Sequence, residues 1–142
     1  MKGEKWEKIT YGKIMGCNLI NLKDQKGKPK KGKNRLYTII ISESAFLIWK
    51  LRCQKVIEFG NGKDHSEIEI HNKWVNIINT RLKLDKILTN SHRHRSKAIP
   101  KDKVLKTWSG VLYDEDSLPD DWIRQSEVLV GIASRRPRGR NR

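Results

Sequence analysis

A chain of 142 residues with 36% apolar and 33% charged side chains can close one modest core, with polar extensions around it. Lys and Arg number 31 against 16 Asp and Glu, a net charge of 31 − 16 = +15. No run reaches the roughly 20 apolar residues that cross a bilayer, and the most apolar segment, residues 36 to 57, carries Glu43 in its middle, so a transmembrane reading fails.

The charge is placed at the ends. Residues 1 to 35 hold eleven basic and three acidic side chains, residues 135 to 142 hold five arginines and no acid, and 36 to 134 is left at 15 − 13 = +2. A near-neutral core between cationic arms suits a polyanionic partner, nucleic acid or an anionic membrane surface.

The N-terminal segment "MKGEKWEKITYGKIMGC" lacks the unbroken apolar stretch of a secretory signal, so nothing there directs export. Trp6, Ile9, Tyr11, Ile14, Met15, Leu19, Ile20 and Leu22 are scattered anchors. Gly12 and Gly16 interrupt any long helix, and short pieces docked on the core are expected. Residues 23 to 34, "KDQKGKPKKGKN", contain no apolar side chain and read as an exposed loop. From 36 to 57 the helical spacing of Leu36, Ile39, Ile40, Phe46, Trp49, Cys53 and Val56 predicts the central helix. Within it Glu43 either faces solvent or pairs with a buried Arg or Lys.

The Gly-Asn-Gly of "EFGNGKDH" marks a turn, and Ser66 with Glu69 has capping-box spacing. A second long helix is expected from about 66 to 89, with Ile70, Trp74, Ile77, Ile78, Arg81, Leu84 and Leu88 on one face. A short connection makes the two long helices antiparallel. After the polar break "TNSHRHRSKAIP", Pro100 can start a third helix with Val104, Leu105, Trp108, Val111 and Leu112 on its apolar side. A fourth short helix is expected to start near Ser117 to Trp122, then extended chain at "EVLVGI" and a disordered "ASRRPRGRNR".

Catalytic constellations are not evident. Asp114, Glu115, Asp116, Asp120 and Asp121 invite a two-metal nuclease reading, but they lie in one short polar run, where turns and helix N-termini account for carboxylates. His92 and His94, with His65 and His71 upstream, lack the paired cysteines of a zinc site. Cys17 and Cys53 read as two thiols in a reducing compartment. No metal or cofactor is expected. Lysines of the 23 to 34 loop, the "HRHRSK" loop and the terminal arginines remain as phosphate contacts.

The words "GKPKKGKNRLYTIIISESAFLIWKLRC", "EIHNKWVNIINTRLKLDKILTN", "VLKTWSGVLYDEDSLPDDWI" and "EVLVGI" together resemble the C-terminal region of basidiomycete fungal proteins derived from non-LTR retrotransposons. The resemblance implies a region that follows reverse-transcriptase or RNase H-like segments and a small Cys/His zinc-binding motif. It implies that the matching positions, Trp49, Leu51, Trp74, Arg81 and Trp108, lie in the core. No DDE, D-E-D-D or Y-x-D-D constellation is present, so polymerase and nuclease activity carry over to no residue here. An accessory helical domain expressed alone, or a product begun downstream of its true start, is implied.

The expectation is an all-α or mainly α domain: a small bundle of two long antiparallel helices plus one or two shorter ones. Residues 1 to 35 form a basic N-terminal segment, 36 to 134 the helical core and 135 to 142 an Arg-rich tail. The expected function is a non-catalytic accessory domain, nuclear or cytoplasmic. It associates without sequence specificity with RNA or DNA through Lys28, Lys30, Lys31, Lys33, Arg135, Arg136, Arg138, Arg140 and Arg142. The alternative is a structural module that docks on other segments of a parent polyprotein, or a remnant without function.

Overall fold

The computed structural model describes residues 8–57 and 64–136. Two long helices dominate it, α2 (Lys31–Ile57) and α3 (Glu67–Ile87), with the short α1 (Tyr11–Met15), α4 (Ser91–His94) and α5 (Lys101–Trp108) around them. Among the described residues there is no strand, only isolated bridges pairing Lys23 with Pro29 and Leu112 with Val130. The fold is mainly α, and the long pair is antiparallel: Arg35 meets Asp85 near one end, and the Trp74 indole donates to Ser44 Oγ (2.9 Å) toward the other. No helix among the described residues is long and apolar enough to cross a membrane.

The first long helix starts earlier than its apolar stripe, because the lysine-rich stretch orders itself with polar bonds instead of burial. Asp24 Oδ1 accepts from the backbone N–H groups of Lys26 (2.8 Å) and Lys28 (2.9 Å), and Gly27 takes the left-handed φ of 76° that the turn requires. Lys30 N–H then bonds Leu22 O (2.7 Å), and Asn34 Oδ1 accepts from Leu22 N–H (2.7 Å). The expected loop of 23 to 34 is therefore a closed turn of about eight residues followed by the first turn of α2, and the expected boundary between 35 and 36 falls inside a helix.

Local chemistry also sets the other elements. Ser66 caps α3 by accepting from Glu69 N–H (3.2 Å), but the Glu69 carboxylate turns to Lys73 (2.9 Å) and His65 (3.0 Å), so the capping box is half made. The buried residues of α3 are Val75, Ile78, Leu82 and Asp85, a stripe turned by about one residue from the expected face, which leaves Ile70 and Leu84 exposed. Helix α5 ends at Trp108, so Val111 and Leu112 belong to the segment beyond it. The expected fourth helix is replaced by two 3-10 turns, Glu115–Ser117 and Trp122–Arg124. The interruption has a steric cause: Leu118 precedes Pro119 and is held extended (ψ 144°).

The core gathers Leu36 and Ile39 of α2, Ile78 and Leu82 of α3, Val104 and Trp108 of α5, and Val128 and Val130 from the C-terminal segment. That segment is extended as expected, with Val128 and Val130 buried and Leu129 exposed in the period of two of an extended chain. Tyr113 N–H bonds Leu129 O (2.9 Å), Gly131 N–H bonds Val111 O (2.8 Å), and Asn79 Oδ1 accepts from Val130 N–H (2.9 Å). A smaller cluster of Cys17, Tyr37 and Ile41, with Ile20 beside it, docks the N-terminal pieces on α2. Of the anchors expected there, Ile9, Tyr11, Ile14, Met15, Leu19 and Leu22 stay exposed, Ile20 packs on this cluster, and Trp6 lies outside the described residues.

An ion pair runs through the middle of this core. Arg35 grips Asp85 with both terminal nitrogens (2.6 and 2.8 Å), Trp108 Nε1 donates to Asp85 Oδ2 (2.9 Å), and Arg35 also donates to Thr107 Oγ1 (3.1 Å). Asp85 is fully buried, and its side chain links α2, α3 and α5.

Candidate nucleic-acid interface

The antiparallel pairing decides which basic segments meet. The lysine turn enters α2 one turn before Arg35, and α4 leaves α3 just past Asp85, so both project from the same end of the α2–α3 pair. Between residues 23 and 33 stand six lysines, Lys23, Lys26, Lys28, Lys30, Lys31 and Lys33, against Asp24 alone. The first turn of α2 contains no acidic residue, although the positive end of a helix dipole disfavours lysines there. Arg93, Arg95 and Lys97 are exposed on the α3–α5 connection, and Lys103 is exposed on α5. Four carboxylates of this end are engaged: Asp85 beneath Arg35, Asp24 in its turn, Asp102 with Lys106 (2.9 Å) and Asp121 with Lys101 (3.0 Å).

The terminal arginines do not join this patch where the chain is described. Arg135 exchanges two backbone hydrogen bonds with the Asn72 side chain (2.7 and 2.8 Å), and its guanidinium bonds Glu67 (2.6 Å). Asn72 lies thirteen positions before Asp85 on α3, so the two basic sites are separated by about 20 Å of helix. The expectation of a disordered tail from Ala133 is thus corrected at Arg135, where Asn72 satisfies the backbone. Arg136 is exposed, and Arg138, Arg140 and Arg142 lie outside the described residues.

The acidic run has structural work to do. Glu115 accepts from Gly110 N–H with both oxygens (2.9 and 2.7 Å), and Asp114 accepts from Ser117 Oγ (2.7 Å). His65 contacts Glu69, and a ring nitrogen of His71 lies 3.0 Å from Ala133 O. Among the described residues no three His, Cys, Asp or Glu side chains gather as a metal site, and both cysteines are free. Glu43 sits 3.9 Å from Arg81, a loose and partly exposed pair. The Arg35–Asp85 pair is not evident from sequence, although Asp85 falls three residues after Leu82 and seven after Ile78, in register with the buried stripe.

Burial near the α3 terminus lowers the pKa of Lys86 from the usual lysine value, and Lys83 adds repulsion. Its Nζ donates to the Gln125 carbonyl. The folded state therefore holds this proton less tightly than the unfolded chain, and Lys86 costs stability at neutral pH that is relieved as pH rises through the window just below 10.5. Urea titrations of the wild type and Lys86→Gln at pH 8 and pH 10.5 should show the wild type gaining on the variant at the higher pH. A constant difference would show that burial does not disfavour the charge.

No family model, curated protein or solved structure matches this chain.

Proposed function

We propose that the chain is a non-catalytic accessory domain that associates with RNA or DNA phosphates, of the retroelement-derived kind its sequence resembles. The observation that supports it is the convergence of the lysine turn, the first turn of α2 and the α3–α5 connection on one end of the helix pair, with Asp85 and Asp24 engaged inside and in the turn. Lys28, Lys30, Lys31 and Lys33 form the primary contact, and Arg93, Arg95 and Lys97 extend it. Arg135, Arg136, Arg138, Arg140 and Arg142 form a second, separate contact. Backbone phosphates are the ligand of such a surface, so no base sequence is selected.

Fluorescence anisotropy with labelled single-stranded RNA, single-stranded DNA and duplex DNA tests this, using the full chain and two sets of Gln replacements, at positions 28, 30, 31 and 33 and at 93, 95 and 97. Removing one phosphate-bound cation should flatten the dependence of log affinity on log salt by about 0.7 to 0.9. Both sets should weaken binding at near-physiological salt. Wild-type binding that vanishes at that salt, or variants with the wild-type slope, would reduce the charge to nonspecific attraction.

A further inference from the structure

The second half of α2 carries an apolar seam that no described residue covers. Arg35, Ile39, Ser42, Phe46, Trp49, Cys53 and Val56 follow one another at steps of four and three residues, the a and d spacing of a coiled coil. At the start of this line Arg35 bonds Thr107 on α5, and Ile39 lies in the core with Val104 and Trp108. Beyond Ser42 the cover ends: Phe46 is 55%, Trp49 60% and Val56 70% exposed, with the two rings 5.8 Å apart. Leu47 and Leu51 face the opposite side, where they line a groove with Trp74, so α2 is anchored there without using the seam.

Charge identifies the missing cover. At about 100° per residue, Lys50 lies roughly 80° to one side of the seam's midline and Arg52 roughly 80° to the other. Both are exposed, and neither has an ion pair among the described residues. In an antiparallel second copy Lys50 would meet Lys50 and Arg52 would meet Arg52, which opposes that self-pairing. We infer that the Phe46–Val56 seam of α2 is a docking surface for an acidic amphipathic helix, one with apolar residues at a and d and carboxylates beside them to meet Lys50 and Arg52. The seam is about 15 Å long, three helical turns, which suits a reversible contact. None of the residues assigned to phosphate contact belongs to the seam, so the two readings stand or fall separately.

The test uses the full chain and two labelled 21-residue helical peptides, both with leucine at a and d, one with glutamate and one with lysine at e and g. The glutamate peptide should bind saturably and at least tenfold more tightly than the lysine peptide. Phe46→Ala with Trp49→Ala should lose that binding while keeping the wild-type circular dichroism, since both side chains are exposed. Lys50→Glu with Arg52→Glu should reverse the preference between peptides, a result that generic stickiness cannot produce. Absence of binding, or equal binding of both peptides, overturns the inference. So does a dimer in sedimentation that the double alanine variant dissolves, which would make a second copy the occupant. Loss of oligoribonucleotide binding in that variant would instead make the rings a base-stacking surface and also overturn it.

Discussion

Arg35→Ala is expected to destabilise the protein by about 3 to 5 kcal/mol, the cost of leaving a buried charge without its partner. Asp85 is fully buried, so without Arg35 its carboxylate keeps the Trp108 N–H and has only Arg81, 3.7 Å away, as a cation within reach. Asp85→Ala should cost less than Arg35→Ala, because the Arg35 side chain is 16% exposed and its guanidinium can move toward water. Replacing both, Arg35→Met with Asp85→Leu, should recover most of the loss, short of the roughly 1 to 3 kcal/mol of an orphaned indole N–H. Denaturation in urea, followed by tryptophan fluorescence, measures all three. Single variants within about 1 kcal/mol of the wild type would mean that the pair is hydrated and contributes little.

Gly32→Ala is the second large effect, and it has the opposite sign from that suggested by helix propensity. Alanine in place of a helical glycine ordinarily gains up to about 1 kcal/mol. Here, however, a Cβ at position 32 would stand 2.2 Å from the Lys106 carbonyl oxygen and 2.6 Å from its carbon, both backbone atoms of α5. Helix α5 would have to move away from α2, disturbing the packing of Trp108 and Val104, and a net loss of about 2 kcal/mol is expected. Gly12→Ala is the control: nothing lies within 4 Å of a Cβ there, and that variant should be neutral or slightly stabilised. A lower thermal midpoint for position 32 and an unchanged one for position 12 would identify the close approach as the cause.

The helical class, the two long helices and the extended C-terminal segment are legible because each is written in local periodicity, and the antiparallel pairing because the connection is short. Val75, Ile78 and Leu82 repeat at helical steps, and Val128 and Val130 alternate with Leu129. What periodicity cannot say is which part of a continuous stripe finds a partner. Phe46, Trp49 and Val56 continue the line of Ile39, yet α5, eight residues long, covers only the beginning of it. Asp85 is hidden for a related reason: a carboxylate on an apolar stripe becomes a core residue only when a guanidinium fifty positions away is brought to it. The lysine turn reads as a plain loop because its order comes from the Asp24 and Asn34 side chains, which hydrophobic patterning does not register. Charge asymmetry points to both basic arms, but only the pairing of α2 with α3 puts the lysine turn and the "HRHRSK" segment at the same end of the pair and Arg135 elsewhere.

The contribution of Val128 and Val130 to the core has a consequence for how the chain is made. Leu36 and Ile39 emerge from the ribosome about ninety residues before the valines that help to enclose them. At about 5 to 20 residues per second, this part of the core waits roughly 5 to 20 seconds for its final pieces, with α2 already synthesised and apolar surface still open. For that interval the apolar face of α2 stays open, and closure of the core is timed by the arrival of the extended segment that carries Val128 and Val130.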